Sequence, residues 1–198
     1  MSGKRARLAT GVLPPRLTVA TGADGVHQLS AVPVEPTAAQ LWRWWWLHDG
    51  CWYDRTVALC GVERANEINR QVLRFVAQRV ARTVARTAQR RIGQMPWPDV
   101  VQLYVSCPRL MWPARLLQAD YRITGPGRFE ANVVRNYALT MLLRHGGLDG
   151  YRCPCLDLRQ GWFEGLGLPV VEDVCVQCLR TGGSACTFLA RVAGYGDD

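Results

Sequence analysis

The first sustained pattern of apolar and polar positions has the period of a helix and predicts one over residues 38–60. Thr37 and Gln40 stand at its start in the form of a capping box, in which each side chain accepts a hydrogen bond from a backbone amide. Gly61 ends the pattern. The broad face of this helix is rich in aromatic residues and carries Trp42, Trp45, Trp46, Trp52 and Tyr53.

A second helical pattern predicts a longer helix over 62–92. Its fourfold-spaced apolar positions form a predicted buried stripe of Ile68, Val72, Val76, Val80, Val84 and Ala88. A parallel polar row consists of Arg70, Arg74, Gln78, Arg82, Arg86 and Arg90. Like charges at this spacing repel each other, so the row is either a solvated face whose stems cover apolar surface or a face with an anionic partner.

The pattern changes after the second helix. Three runs rich in β-branched and aromatic residues predict strands over 100–106, 116–124 and 129–136, the last two joined by a hairpin turn. Short helices over 137–146 and 156–167 and an antiparallel strand pair over 168–174 and 186–192 follow. The predicted fold is therefore α+β, with two long N-terminal helices packed on an antiparallel sheet with short helices and a C-terminal zinc-binding hairpin.

Composition sets the domain organisation. Of the 198 residues 48% are hydrophobic and 20% are charged, which is enough for one buried core and excludes a disordered chain. We expect a loosely ordered arm over 1–36 and a single domain over 37–198. We expect no secretion signal and no membrane span, and hence a cytoplasmic protein. The net charge of +8 comes mainly from arginine and by itself decides little about partners.

Five cysteines cluster between residues 153 and 186. Cys175, Cys178 and Cys186 flank a turn that would bring their sulfurs to one end of a hairpin, and Cys153 or Cys155 offers a fourth ligand. Because a reducing compartment disfavours disulfides and zinc prefers soft thiolates, we predict a closed, structural zinc site here. An iron–sulfur cluster, a redox dithiol and a disulfide framework are the alternatives. Cys107, without a histidine nearby in sequence, is predicted to be buried and inert.

The segment from Cys155 to Phe188 resembles the C-terminal motif of the 4-vinyl-reductase family of small-molecule-binding domains, which includes aromatic-sensing domains of bacterial activators. The residues that match the motif are Cys155, Gly161, Gly165, Cys178, Gly182 and Cys186. Cys175 stands where the aromatic sensors carry a glutamate, which keeps a metal ligand but makes the site less labile. A second resemblance, over residues 46–69, is to the L-2-amino-thiazoline-4-carboxylic acid hydrolase family.

The first resemblance implies an apolar cavity near the zinc, between sheet and helices, that binds a hydrophobic or aromatic small molecule. The candidate lining residues are Trp45, Trp46, Trp52, Tyr53, Trp112, Arg115, Tyr121 and Trp162. Asp49, a carboxylate within the aromatic stripe, and His48 are the candidate acid–base residues of the alternative function, an enzyme such as a hydrolase on the same scaffold. A homodimer is also expected, as in the sensors, whereas nucleic-acid binding is the least favoured function.

Overall fold

The computed structural model describes residues 19–21, 27–29, 35–88, 91–144 and 149–196. The chain divides into two compact units, Met1–Leu47 and His48–Asp198. In the first unit, strands β1 (Val19–Thr21) and β2 (His27–Leu29) pair antiparallel. The rest of the predicted arm lies outside the described residues, and its predicted boundary at residue 36 stays a prediction.

Helix α1 (Ala38–Cys60) begins in the first unit and has the predicted bounds. The predicted capping box is confirmed, because the Gln40 amide donates to Thr37 Oγ1 at 3.3 Å and the Thr37 amide donates to Gln40 Oε1 at 2.8 Å. No residue of α1 is buried in the described structure. Within the second unit, Tyr53 of the aromatic face packs against the core, whereas Trp52 is 63% exposed.

Helix α2 (Val62–Ala85) ends seven residues before the predicted end at Ile92. Both the amide and the hydroxyl of Thr87 bond to the Val84 carbonyl, at 2.9 and 2.7 Å, and this tighter pattern stops the α-helical ladder. A 3-10 turn covers Ile92–Gln94. The end of the predicted helix was wrong because local side-chain bonding outweighed the apolar spacing.

The predicted buried stripe of α2 also needs correction. Val72 is 49% exposed, whereas Ala77 and Ala81 are completely buried. Helix α5 (Cys155–Leu166) packs on these alanines through Gly161 and Gly165, where an added Cβ would collide with the α2 backbone. The close approach of two backbones selects small residues, so Ala77 and Ala81 are the most deeply buried positions of α2. Of the predicted row, Val84 is buried and Val76 and Val80 are half-buried against the core.

Helix α3 (Trp97–Met111) replaces the strand that we predicted over 100–106. Pro98 lies in its first turn, where a missing amide hydrogen costs nothing, and Asp99 complements the helix dipole. The residues it buries recur at helical spacing and include Val100, Val101, Tyr104, Cys107 and Met111. The β-branched composition of this stretch misled the prediction, since burial on one helical face decides its structure.

Four antiparallel strands form the sheet in the order β3-β4-β6-β5. Their bounds are β3 (Leu117–Gly125), β4 (Arg128–Asn136), β5 (Val170–Gln177) and β6 (Cys186–Val192), with the short helix α4 (Tyr137–Arg144) after β4. The predicted β3–β4 and β5–β6 pairs are confirmed. The end of the predicted helix over 137–146 lies outside the described residues.

The core lies between the sheet and helices α3 and α5. Phe129 and Phe188 project from neighbouring strands onto these helices, with Tyr104 and Phe163 opposite them. Helix α2 packs mainly on α5 and α3. The α+β class is confirmed, and two of its helices stand between α2 and the sheet. None of the helices in the described part of the chain has the length and hydropathy of a membrane span.

Candidate metal and ligand site

Four of the five clustered cysteines converge at one end of the β5–β6 hairpin. Cys178 follows β5 and Cys186 begins β6, and their sulfurs are 3.8 Å apart because Gln177 pairs with Thr187 across the ladder. Cys153 and Cys155 enter from the loop before α5 and from its first residue, with sulfurs 2.8 Å apart. Cys178 is near enough to Cys153 to help lower the pKa of the Cys153 thiol, after the larger effect of Cys155, and this proximity relates the two pairs.

A buried asparagine fixes the loop that carries Cys153. Asn66 of α2 is 2% exposed; its amide donates to Gly150 O at 2.7 Å, and its oxygen accepts from the Arg152 backbone amide at 2.9 Å. The Tyr53 hydroxyl donates to the same oxygen at 2.9 Å. The loop is thus held by polar bonds on both sides of Tyr151, which fixes the position of the Cys153 thiol relative to α2.

The thiols perturb one another strongly. Hydrogen bonding from Cys155 lowers the pKa of Cys153, whereas the same contact, together with burial, raises the pKa of Cys155. Burial also raises the pKa of Cys186, whose sulfur accepts the Leu179 backbone amide at 3.2 Å. Within the Cys153–Cys155 pair, Cys153 is therefore the thiol that ionises more readily and Cys155 the one that keeps its proton.

Cys175, the remaining predicted ligand, makes no sulfur–sulfur hydrogen bond among the described residues, although burial and then the charges of Cys178 and Cys153 raise the pKa of its thiol. It is exposed on β5, and its thiol donates to the Gln177 carbonyl at 3.1 Å. Among the described residues, no set of three or more His, Cys, Asp or Glu side chains has the geometry of a formed metal site.

An open groove of about 390 Å³ lies beside the thiols. Cys153 lines it, together with Arg70, Arg152, Leu156, Asp157 and Gln160. Arg70 binds the Asp157 carboxylate through Nε at 2.8 Å and Nη2 at 3.1 Å. Arg74, one turn further along α2, pairs with Glu164 of α5. The carboxylates of Asp157 and Glu164 are thus anionic partners for two arginines of the predicted row. Arg90, the last arginine of that row, lies outside the described residues.

Aromatic side chains surround Tyr104 in the core. Three of the predicted pocket residues come together here: Tyr121 and Trp162 meet the Tyr104 ring edge-on at 6.4 and 5.7 Å, and Trp112 meets Trp162 at 6.1 Å. Trp162 and Tyr104 are buried, whereas Trp112 and Tyr121 are half-buried at the outer side of this cluster. Trp162 Nε1 donates to Met111 Sδ at 3.3 Å.

The Tyr104 hydroxyl is fully buried and has no hydrogen-bond partner among the residues that the structure describes. Burial raises its pKa well above the ordinary phenol value, so it remains a neutral donor. A buried hydroxyl without a partner costs stability, and native structures rarely tolerate one without a reason.

A buried ion pair lies next to this tyrosine. Arg159 of α5 is 4% exposed and binds Asp173 of β5 through Nε at 2.9 Å and Nη2 at 2.6 Å. The guanidinium also stands over the rings of Tyr104, Phe129, Phe163 and Phe188, at 4.7 to 5.7 Å. The sequence analysis did not predict Arg159 and Asp173 as site residues. The signal for Arg159 was its position four residues before Phe163, which places both on one face of a helix.

The other predicted site residues lie elsewhere. Trp45 is 57% and Trp52 63% exposed, and Arg115 is exposed as well. His48 stacks on Trp52 with ring centroids 6.5 Å apart. Trp46 is half-buried on the first half of α1. Trp45 and Trp46 belong to the first unit. Within the second unit, Trp52 and Arg115 are exposed and so lie outside the buried part of the Tyr104 cluster.

Asp49, Trp52 and Tyr53 line a crevice of about 30 Å³ between α1 and α2. Desolvation in this crevice raises the pKa of Asp49, and the charge of His48 partly opposes the shift. The crevice is the size of one water molecule. Asp49 lines this crevice, whereas His48 is not among its lining residues.

Cys107 behaves as predicted for an inert thiol. It is completely buried on α3, its thiol donates to the Leu103 carbonyl at 3.5 Å, and burial raises its pKa to about 12.

Comparison with known proteins adds no relative to this picture. The chain matches no protein-family model and no curated protein. The resemblance of the C-terminal motif to the 4-vinyl-reductase family therefore stays a prediction.

Proposed function

We propose that the chain is a zinc-stabilised domain that binds a hydrophobic or aromatic small molecule. The observation that carries the proposal is the convergence of Cys153, Cys155, Cys178 and Cys186 from two separate segments. Four soft thiolates suit zinc in a closed tetrahedral shell, which holds structure together and leaves no position for a reacting water. Zinc, when bound, supplies a link between the start of α5 and the β5–β6 hairpin.

Two of the six sulfur–sulfur distances can be compared with such a shell. A tetrahedron with Zn–S bonds of 2.3 Å has edges of about 3.8 Å. The Cys178–Cys186 distance already equals that value, and the Cys153–Cys155 pair at 2.8 Å would need to open by about 1 Å. The proposed set uses both Cys153 and Cys155 and leaves out Cys175, which is bonded to Gln177.

Metal analysis of the purified full-length protein by native mass spectrometry tests the ligand set. We expect one zinc per chain, lost in Cys178→Ser and retained in the matched control Cys175→Ser, because only the first residue belongs to the converging group. A metal-free protein whose cysteines are paired in disulfides would contradict the proposal. Equal zinc loss in both variants would contradict the choice of ligands.

The Tyr104 cluster supports the ligand-binding half of the proposal. A neutral phenol without a partner, held among aromatic rings, can be satisfied by a molecule that has an apolar ring and one hydrogen-bonding group. Trp112 and Tyr121 are half-buried at the outer side and would form the entrance. Outward movement of these two side chains would make room for the ligand. Contacts between the ligand and the aromatic rings would then replace some of the contacts between the rings.

Phenol titration of the Tyr104→Phe variant, followed by tryptophan fluorescence, tests this half. Removing an unpartnered buried hydroxyl should stabilise the unliganded protein by about 1 kcal/mol and weaken phenol binding about tenfold. Tyr195→Phe, which loses a hydrogen bond to Ile92 O, is the matched control and should bind phenol normally. Unchanged phenol affinity in Tyr104→Phe would remove this residue from the site.

The proposed domain acts in the cytoplasm as a homodimer. Support comes from the large apolar side chains that Trp52 and Phe75 expose, the latter by 60%. Sedimentation velocity at micromolar concentration should give the mass of two chains, and a monomer at all concentrations would contradict the assembly.

A further inference from the structure

Cys153 is the converging thiol that lines the open groove, between Arg70 and Arg152. Cys155 and Cys178 are half-buried like Cys153, but they are not among the groove's lining residues, and Cys186, the first residue of β6, is 1% exposed. A small oxidant that enters the groove therefore meets Cys153.

Cys155 is placed to react with an oxidised Cys153. The two sulfurs are 2.8 Å apart, so closure to a disulfide bond of about 2.05 Å requires little movement. Cys178 and Cys186 start at 3.8 Å and would have to move further. Asn66 holds the backbone at Arg152, which keeps Cys153 facing both the groove and Cys155.

We propose that Cys153 is an oxidisable thiol at the base of this groove and that Cys155 is its resolving partner. The co-reactant is hydrogen peroxide. Cys153 sulfur attacks one peroxide oxygen, the O–O bond breaks, and Cys153 becomes a sulfenic acid as one water leaves. Cys155 sulfur then attacks the Cys153 sulfur, the S–O bond breaks, and the hydroxyl leaves as a second water with the thiol proton. Two thiols and one hydrogen peroxide give one disulfide and two waters.

Oxidation of this pair would also open the metal site. A disulfide between Cys153 and Cys155 removes two of four thiolates, so zinc loses its closed shell and is released, while two protons are consumed in forming water. This release rests on the proposed function. Closure of the pair does not, because it needs only the two thiols and the peroxide.

The sequence allows a direct map of the pair. Trypsin cleaves after Arg152, Arg159, Arg180 and Arg191, so Cys153 and Cys155 share a peptide with no other cysteine. Cys175 and Cys178 lie on the next peptide, and Cys186 on the one after. The full-length reduced protein is treated with one equivalent of hydrogen peroxide, alkylated and digested, and its zinc is measured before and after with a colorimetric indicator.

We expect alkylation of peptide 153–159 to fall about fivefold, with a species lighter by two hydrogens, while peptides 160–180 and 181–191 stay alkylated. Zinc should leave in proportion, and Cys175→Ser should behave like the unchanged protein. In Cys155→Ser, dimedone should label Cys153 as the trapped sulfenic acid. If that variant does not fold, the peptide map of the unchanged protein still shows whether Cys153 and Cys155 form the disulfide.

First oxidation of Cys178 with Cys186, or an alkylated peptide 153–159 after the peroxide treatment, would overturn the inference. The metal measurement keeps this failure separate from that of the proposed function. A protein that carries no zinc but closes the 153–155 pair would refute the metal site alone. A zinc protein that oxidises another pair would refute the oxidisable pair alone.

Discussion

At the residue scale, the Arg159–Asp173 pair shows how one charged contact connects an α-helix to an edge strand. Its desolvation is offset by hydrogen bonds from two guanidinium nitrogens and by four aromatic rings. The buried Arg159 charge is stable only while the Asp173 carboxylate remains beside it. The pair thus gives α5 one position on the sheet, next to the proposed ligand and metal sites.

Asp173→Ala should destabilise the protein by about 3–5 kcal/mol, because it leaves the Arg159 charge buried without a counterion. Glu172→Ala on the same strand is the matched control, since Glu172 is exposed and only 3.9 Å from Arg191; its effect should stay within about 1 kcal/mol. Urea unfolding measures both. Arg159→Met in the Asp173→Ala background should restore part of the loss, and an unchanged double variant would contradict this account.

At the element scale, the packing of α2 on α5 depends on two glycines. A Cβ on Gly161 would collide with Arg74 O and Ala77, and one on Gly165 would lie 2.5 Å from Gln78 O. The helices therefore approach more closely than ordinary side chains permit. This contact aligns Asp157 with Arg70 and brings the first turn of α5, with Cys155, beside the loop anchored by Asn66.

Gly161→Ala should cost about 3 kcal/mol or more, because the helices must separate to admit the methyl group. Gly50→Ala is the matched control: nothing lies within 4 Å of its added Cβ in the interior of α1, so it should stabilise the protein by about 1 kcal/mol. Thermal unfolding followed by circular dichroism compares the two. Equal effects of the two substitutions would mean that the close contact does not hold the helices together.

Sequence periodicity predicted α1, the β3–β4 hairpin and the β5–β6 hairpin because local signals there agree: a capping box, turn residues and alternating strands. It failed at α3, where β-branched residues lie on a buried helical face. Because α3 was predicted as a strand, Tyr104 was not predicted as a site residue. The spacing of the cysteines located the converging thiols, but only the fold separates Cys175 from them, because a bulge between Cys175 and Gln177 interrupts the strand.

At the scale of the whole molecule, the four thiols connect segments that are far apart in the chain. The loop and first residue of α5 supply two, and the β5–β6 hairpin supplies two. Asp173 lies on β5 and Arg159 lies on α5. A metal in the proposed site, which would hold the β5–β6 hairpin against α5, would therefore also keep Asp173 near Arg159. Metal content and core order should consequently change together.

Removal of zinc from the proposed site should lower the melting temperature by about 5 °C or more, since binding to the folded state alone stabilises it. Hydrogen exchange should rise first over 149–155 and in the β5–β6 hairpin, while the β3–β4 hairpin stays protected. The comparison is between chelator-treated and untreated protein, with Cys178→Ser as the control that chelator should not change further. A zinc-loaded protein whose melting and exchange do not respond to chelation would show that the metal does not hold the fold together, even if the four cysteines bind it.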